Sequence, residues 1–389
     1  MKPAFDSRIE KAISLRHQQG LLRRTQAIGD GNHRQFALNG ERFINFSSND
    51  YLGLAASEEL SLAYQQAIAK YGSGSGASPL VTGYSTTHAD LESALTEWLG
   101  YDSAIFFSSG FSANQAVLFS LLEKGDLLLQ DRLNHASLME AGMLSPATMK
   151  RYRHGDLTHL SSLFVPSTPT LAVTESVFSM DGDIAPVGEF IQQCQIANAM
   201  TMVDDAHGIG VLGVDGRGAL SLCQDKPDIL VVTFGKAFGL NGAAVLCSKA
   251  MSEYLTQFAR HYIYSTAFSA AHASALLTAL TMIQTQPWRR EKVRELGGLF
   301  CEGAAHLPAY VDTQTPIKPW VVGDEAHTLT LCSALKSNRI WTTAIRPPTV
   351  AKGSARLRIT LSATHTPTDI QALVDALEQS AKEFSCQKR

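Results

Sequence analysis

From about residue 51 to residue 287 the chain alternates short apolar runs with segments of helix length. No other feature restricts its fold as much. Residues 103–107, 170–178, 201–204, 229–233 and 243–247 have the length and apolar character of buried strands. Residues 112–122 and 187–199 supply helix-length spacers between them. Strand–helix alternation on this scale predicts an α/β fold with a mostly parallel, doubly wound sheet. Such sheets place ligands just beyond the carboxyl ends of their strands, so those segments are where chemistry is expected.

At 389 residues the chain exceeds what one core organises, since single cores stop growing near ~250–300 residues. A division into an amino-terminal arm (1–50), a large domain (51–287) and a small α+β carboxy-terminal domain (288–389) follows. In the arm, Phe5, Ile9 and Ile13 recur at helical spacing. Pro287 and Trp288, followed by charged residues 289–295, mark the second boundary. Beyond it, residues 341–345 and 355–361 look like strands. The last helix is strongly signalled: Thr366 caps it, Pro367 suits the first turn, Asp369 completes a capping box, and Ile370, Leu373, Val374 and Leu377 form one stripe. There are no repeats or low-complexity tracts.

Three short segments carry candidate chemistry. Lys236 follows the strand ending at Thr233, and Asp204 ends a strand 32 residues earlier, with His207 close behind. That interval is one strand–helix–strand step and puts both at the same sheet edge. Gly110 and Phe111 follow residues 103–107 and open a helix. Taken singly, each has a bland explanation: a solvated lysine, a helix cap, a surface histidine, a tight-turn glycine. As an ordered set they match what pyridoxal phosphate requires. A lysine forms the Schiff base, an acid keeps the pyridine nitrogen protonated, and backbone donors at a helix start hold the phosphate.

The wider motifs are Asn45-Phe46-Ser47-Ser48-Asn49-Asp50-Tyr51-Leu52-Gly53-Leu54, the glycine-rich run from Gly72 to Gly76, and Thr82-Gly83-Tyr84-Ser85-Thr86-Thr87-His88. Asn134-His135-Ala136-Ser137 and Ser179-Met180-Asp181-Gly182-Asp183 follow. With these the sequence resembles the α-oxoamine synthases, pyridoxal-phosphate enzymes of the aspartate-aminotransferase fold (fold type I). The resemblance runs from about Arg23 to Arg358. Within that family, Ala344-Ile345-Arg346-Pro347-Pro348-Thr349-Val350 is similar to the biotin-pathway branch.

The resemblance implies a role for each matching residue. Lys236 would carry the Schiff base and act as proton acceptor, Asp204 would pair with the pyridinium nitrogen, and His135 would stack on the ring and assist catalysis. His207 and Ser179 would bond the ring hydroxyl region, while Thr233, Gly110 and Phe111 would hold the phosphate. Arg23, Asn49, His135, Thr349 and Arg358 match substrate-contacting positions. Arg358 is the candidate for the amino-acid carboxylate, because its donor fork fits that group. On sequence alone, though, it reads as an ordinary strand arginine. The implied reaction is decarboxylative condensation of L-alanine with a pimeloyl thioester, carried by coenzyme A or an acyl carrier protein. A homodimer is also implied, with Thr266 serving the partner's phosphate. A glycine-using sister activity, a nonenzymatic binding protein and a nicotinamide oxidoreductase are the rivals.

Two positions depart from the family pattern, Ile209 and Pro79, and both are expected to shape the acyl-chain entrance. The run at Gly72 follows a helical segment, which is the wrong context for a dinucleotide fingerprint. Gly235-Lys236-Ala237 lacks the residues of a phosphate-binding P-loop. His154 and His159 are not spaced to share one helix face, and no metal site is expected. Thirty-three basic and thirty-six acidic residues give a net charge of −3, which disfavours nucleic acid as a partner and leaves no basic patch for a membrane surface. No apolar stretch nears the ~18 residues of a membrane span, and the amino terminus lacks the apolar core of a secretory signal. Cys194, Cys223, Cys247, Cys301, Cys332 and Cys386 are scattered and read as buried free thiols. A cytoplasmic location follows as the expectation.

Overall fold

Strands that are apolar on both faces must be covered on both faces, and the middle of the chain is built that way. The computed structural model describes residues 3–31 and 33–387. Its strands are β1 (Gln35–Leu38), β2 (Glu41–Asn45), β3 (Ser103–Phe107), β4 (Leu127–Asp131), β5 (Thr148–Tyr152), β6 (Thr170–Glu175), β7 (Met200–Asp204), β8 (Ile229–Thr233), β9 (Ala243–Cys247), β10 (Ile317–Gly323), β11 (Ile340–Trp341), β12 (Thr343–Ile345) and β13 (Ala355–Thr360). Seven of them make the central sheet, in the order β3-β9-β8-β7-β6-β4-β5. Strands β4 to β8 are parallel, and β9 runs antiparallel to both β3 and β8. The sheet is therefore mostly parallel, as the alternation predicts.

Successive side chains on these strands enter two different cores, following the two-residue period of a strand. Leu230, Val232, Ala244 and Leu246 pack with helices Thr86–Leu99 and Ala270–Thr285 on one face. Ile229, Val231, Ala243 and Val245 pack with helix Gly110–Leu121 on the other. A third core gathers Phe46, Trp320, Leu357, Ile359, Leu373 and Leu377 in the carboxy-terminal part. There β10 and β12 both pair antiparallel with β13. Thr366 caps the last helix (Pro367–Gln387): the Thr366 amide donates to Asp369 Oδ2 at 2.7 Å, and the Asp369 amide donates back to Thr366 Oγ1 at 3.2 Å.

Three differences from the sequence reading have physical causes. Residues 341–345, read as one strand, are two: β11 pairs with β2 and β12 with β13, with Thr342 between them where the chain passes from one sheet to the next. The strand read as 170–178 ends at Glu175; Val177 makes an isolated bridge to Ile184 as the chain turns back. The first fifty residues, read as an arm, contain β1 and β2, which form a sheet with β11, while Phe46 joins the carboxy-terminal core. The stripe Phe5, Ile9 and Ile13 does lie on a helix, Pro3–Gln18, and all three residues are exposed.

Residues 45–54 bind the two parts of the molecule together. The Thr360 amide donates to the Phe46 carbonyl at 2.9 Å, the Ala363 amide to the Tyr51 carbonyl at 2.8 Å, and Ser362 Oγ to the Asp50 carbonyl at 2.7 Å. From the other side, Arg289 Nη1 donates to the Leu52 carbonyl at 2.8 Å. Among the described residues no helix is long and apolar enough to cross a membrane. Cys194 and Cys247 are buried free thiols, whereas Cys223, Cys301 and Cys332 are only half-buried; the Cys386 side chain lies outside the described residues.

Candidate active site

Every cofactor candidate comes from a loop or helix start at the carboxyl end of a central-sheet strand, or from the strand end itself. Beyond β3, Ser109 caps helix Gly110–Leu121, its side chain accepting from the Ser112 amide at 3.1 Å. The first amides of this helix have no partner within it, and its dipole favours an anion there. Gly110 leans across β9 onto the end of β8, so closely that a Cβ on it would lie 2.5 Å from Thr233 Cγ2. Thr233 Oγ1 is buried and has no hydrogen-bond partner in the chain. A buried hydroxyl without a partner is costly, and a phosphate at the helix start would satisfy it. Phe111 stands edge-on to His135, with ring centroids 6.4 Å apart.

Asp204 is buried at the end of β7. Its Oδ1 accepts from the Ala206 amide at 2.9 Å and its Oδ2 from Asn114 Nδ2 at 2.7 Å. The next residue faces a different duty: Asp205 accepts from Ser176 Oγ at 2.5 Å and from the Ala219 amide at 2.9 Å. Burial raises the Asp205 carboxyl to about 8, and these bonds only partly offset it. Gly218, at φ +61°, passes so close that any Cβ would strike the Asp205 carboxylate. Asp205 therefore holds the loop, and Asp204 holds the site.

Lys236 is partly buried. Burial lowers its ammonium to about 8, with Arg358 pushing the same way and Asp204, Glu175 and Asp205 pulling against it. Glu175, at the end of β6, is the register partner of Asp204 and is also buried. Burial, reinforced by the neighbouring Asp204 charge, raises Glu175 well above the usual carboxylate range. His135 caps helix Ala136–Leu144, and burial lowers its imidazole, with Asp204 opposing and Lys236 assisting.

On the opposite wall, His207 Nδ1 lies 2.6 Å from Tyr51 Oη. Burial, then the charges of Lys236, Arg358 and His135, hold His207 well below its usual range, which keeps the ring neutral. Tyr51 Oη also lies 3.3 Å from Asn49 Oδ1. Arg358, from β13, donates through Nε to the Ser179 carbonyl at 2.5 Å and through Nη1 to Asn49 Oδ1 at 3.0 Å, with Nη2 3.5 Å from Tyr51 Oη. With five donors, its fork keeps two N–H groups beyond these contacts.

The structure thus gathers Lys236, Asp204, His135, His207, Thr233, Gly110, Phe111, Ser179, Asn49 and Arg358. It does not gather all the candidates. Arg23 and Thr349 are exposed, and among the described residues no hydrogen bond ties either to this cluster. Thr266 is exposed beside Pro79 and Ser108 along a small cleft. Ile209 is fully buried in the large core, so it packs the interior rather than an entrance. Two participants escape a motif reading, Asn114 and Glu175, while Ser137 stands inside the segment from Asn134 but was given no role there. Asn114 lies four residues after Gly110 on the same helix face, and Glu175 is an acid closing an apolar strand. Those were the available signals.

The donor set fits pyridoxal phosphate: an amine of lowered basicity, a buried carboxylate, an unpaired buried hydroxyl and a helix start packed against it. The family model for aminotransferases of class I and II matches residues 41–377, and the chain belongs to that family. Pyridoxal phosphate is its cofactor. Among curated relatives, the 8-amino-7-oxononanoate synthase of Vibrio campbellii is 57% identical over 97% of this chain and 99% of its own. That of Aliivibrio salmonicida is 58% identical over 97% and 100%. Among solved structures, serine palmitoyltransferase from Sphingomonas wittichii superposes with a TM-score of 0.90 at 26% identity, covering 98% of both chains. The 8-amino-7-oxononanoate synthase from Francisella tularensis does so with 0.77 at 32% identity, covering 89% of this chain and 99% of its own.

Proposed function

We propose that this enzyme condenses L-alanine with a pimeloyl thioester to give 8-amino-7-oxononanoate, carbon dioxide and a free thiol, the step its relatives' name describes. The observation that carries the reading is the Lys236 amine, lowered to about 8 and set among Asp204, Glu175 and Arg358. Bound pyridoxal phosphate supplies the electron sink that makes the alanine Cα acidic. Asp204 keeps that sink effective by holding a proton at the pyridine nitrogen. Lys236 Nζ would take the Cα proton of the bound amino acid. The remaining N–H groups of Arg358 bind the amino-acid carboxylate, with Asn49 fixing the guanidinium plane. His135 donates to the thioester oxygen as negative charge gathers there. His207 and Ser179 would bond the ring hydroxyl, Thr233, Gly110 and Phe111 would hold the phosphate, and Arg23 and Thr349 would contact substrate.

The acyl group arrives on coenzyme A or on an acyl carrier protein. The working form is a cytoplasmic homodimer, with Thr266 turned toward the partner's phosphate. Support for pairing comes from the apolar residues Phe5, Ile9 and Ile13, which the chain's own fold leaves uncovered.

Purified protein with pyridoxal phosphate is given L-alanine or glycine, each with and without pimeloyl-CoA, while carbon dioxide and product mass are followed. Thioester-dependent turnover of L-alanine is expected, and Lys236→Ala is expected to abolish it. Preference for glycine would move the activity to a sister reaction. Normal turnover by Lys236→Ala would overturn the assignment of the central residue.

A further inference from the structure

Asp204 and His135 are joined by an unbroken polar chain buried behind the site. Asn114 Nδ2 lies 2.7 Å from Asp204 Oδ2 and 3.0 Å from Ser137 Oγ. Ser137 Oγ lies 2.9 Å from His135 Nδ1, and the Ser137 amide donates to the same nitrogen at 3.3 Å. Asn114 and Ser137 are almost fully buried, so water does not stand in for either.

The direction of each bond follows from the first. A carboxylate only accepts, so Asn114 must turn its NH2 group toward Asp204. The second hydrogen of that group then points to Ser137 Oγ. Having accepted there, the serine hydroxyl directs its own proton to His135 Nδ1. Two donors then converge on Nδ1, which must present a lone pair, and the ring proton is left on Nε2. The same arrangement accounts for Asn114 Oδ1, which is buried and unpartnered because the amide has been turned to serve Asp204.

We propose that Asn114 and Ser137 are positioning residues through which the ionised Asp204 carboxylate fixes His135 as the neutral tautomer with its proton on Nε2. The carboxylate that keeps a cofactor nitrogen protonated thereby also dictates which nitrogen of His135 can donate. Loss of the Asp204 charge would release the Asn114 amide to rotate, and the serine hydroxyl with it. The groups around the His135 ring act in both directions: burial and the Lys236 charge disfavour the imidazolium, the Asp204 charge favours it, and Phe111 stands edge-on to the ring. The inference rests on the proposed reaction only for what Nε2 donates to; the tautomer belongs to the chain itself.

The test is nitrogen NMR on the full-length holoenzyme labelled with 15N-histidine, with the His135 signals assigned by their absence in His135→Gln. The wild-type ring is expected to show its proton on Nε2. A donor to Nδ1 favours the neutral ring, so Ser137→Ala, which keeps only the longer amide contact, should move the His135 titration upward by about 0.5–1 pH unit. Ser137→Thr should restore it. Asn114→Leu should shift it the same way but less, since the serine hydroxyl remains without being directed. A wild-type ring protonated on Nδ1 would overturn the proposal, and so would variants whose ring titrates as the wild type does. Failure of L-alanine turnover with the Nε2 tautomer intact would count against the reaction and leave the relay standing.

Discussion

Glu175 and Asp204 end adjacent strands as register partners, and two carboxylates at that separation in a buried site are not both ionised at low cost. The hydrogen bonds to Asp204 decide which one keeps the charge: it has donors on both oxygens, whereas Glu175 Oε1 has none. Glu175 is accordingly the protonated member. Replacing it with the uncharged isostere, Glu175→Gln, should leave cofactor affinity within about 3-fold and the thermal midpoint within a few degrees, since a single net hydrogen bond is worth ~1 kcal/mol. A ten-fold or greater loss of pyridoxal phosphate by titration would mean that the glutamate is charged. Asp204→Asn, by contrast, should cut turnover by about 10²-fold, the usual scale for losing a central electrostatic contact. At this scale the sequence offered Lys236, Asp204 and His207 as candidates, because they stand at fixed offsets from strand ends. Asn114, Ser137 and Glu175 act through space on other side chains, and their offsets from Gly110, His135 and a strand end do not say which side chain each reaches.

Between elements, the site depends on how tightly the start of helix Gly110–Leu121 meets the end of β8. Gly110→Ala would place a methyl 2.5 Å from Thr233 Cγ2, so helix or strand must retreat. Overpacking of this kind costs ~1–3 kcal/mol. The expected outcome is a rise of roughly ten-fold or more in the dissociation constant of pyridoxal phosphate, measured by absorbance or fluorescence titration, with helix content by circular dichroism unchanged. A second junction joins the end of β4 to the loop after β6, where His154 bridges Asp131 at 3.0 Å and Asp183 at 2.8 Å. Burial works against the imidazolium, but bonds to both carboxylates outweigh it and raise His154 to about 10. A group raised above its unfolded value of about 6.5 contributes its full stabilisation below that pH and loses it as pH climbs toward 10. Unfolding free energy should therefore fall between pH 7 and 10 in the wild type, and His154→Gln should flatten that slope. An equal slope in both proteins would remove His154 from the account. Strands β3, β8 and β9 could be read to the residue because polar residues or glycine bound them. Strand β5 was not read, since Thr148–Tyr152 sets Lys150 and Arg151 side by side and has no sustained apolar run. The switch of sheets at Thr342 has no composition of its own.

For the whole molecule, the apolar stripe of helix Pro3–Gln18 is the clearest mark of something missing from a single chain, with Phe5, Ile9 and Ile13 each more than half exposed. If that stripe packs on a second copy, sedimentation should show a dimer at micromolar protein, and Ile9→Asp should weaken it by ten-fold or more because a charge would be buried against apolar surface. A wild-type monomer at those concentrations would sink the pairing. The boundary at residue 50 was misplaced for a related reason: composition marks where a chain changes character, whereas β2 is defined by a partner, β11, almost three hundred residues away. Residues 45–54 raise the same matter of order in time. Gly110, His135, Asp204 and Lys236 all leave the ribosome in the first two thirds of synthesis. Asn49 leaves before any of them, yet its partner Arg358 follows 309 residues later. The half of the site proposed to hold the cofactor is thus made early, and the half proposed to hold the substrate closes only when strand β13 reaches back to one of the first segments made. A nascent or prematurely ended chain would carry every proposed cofactor residue but not the Asn49–Arg358 pair.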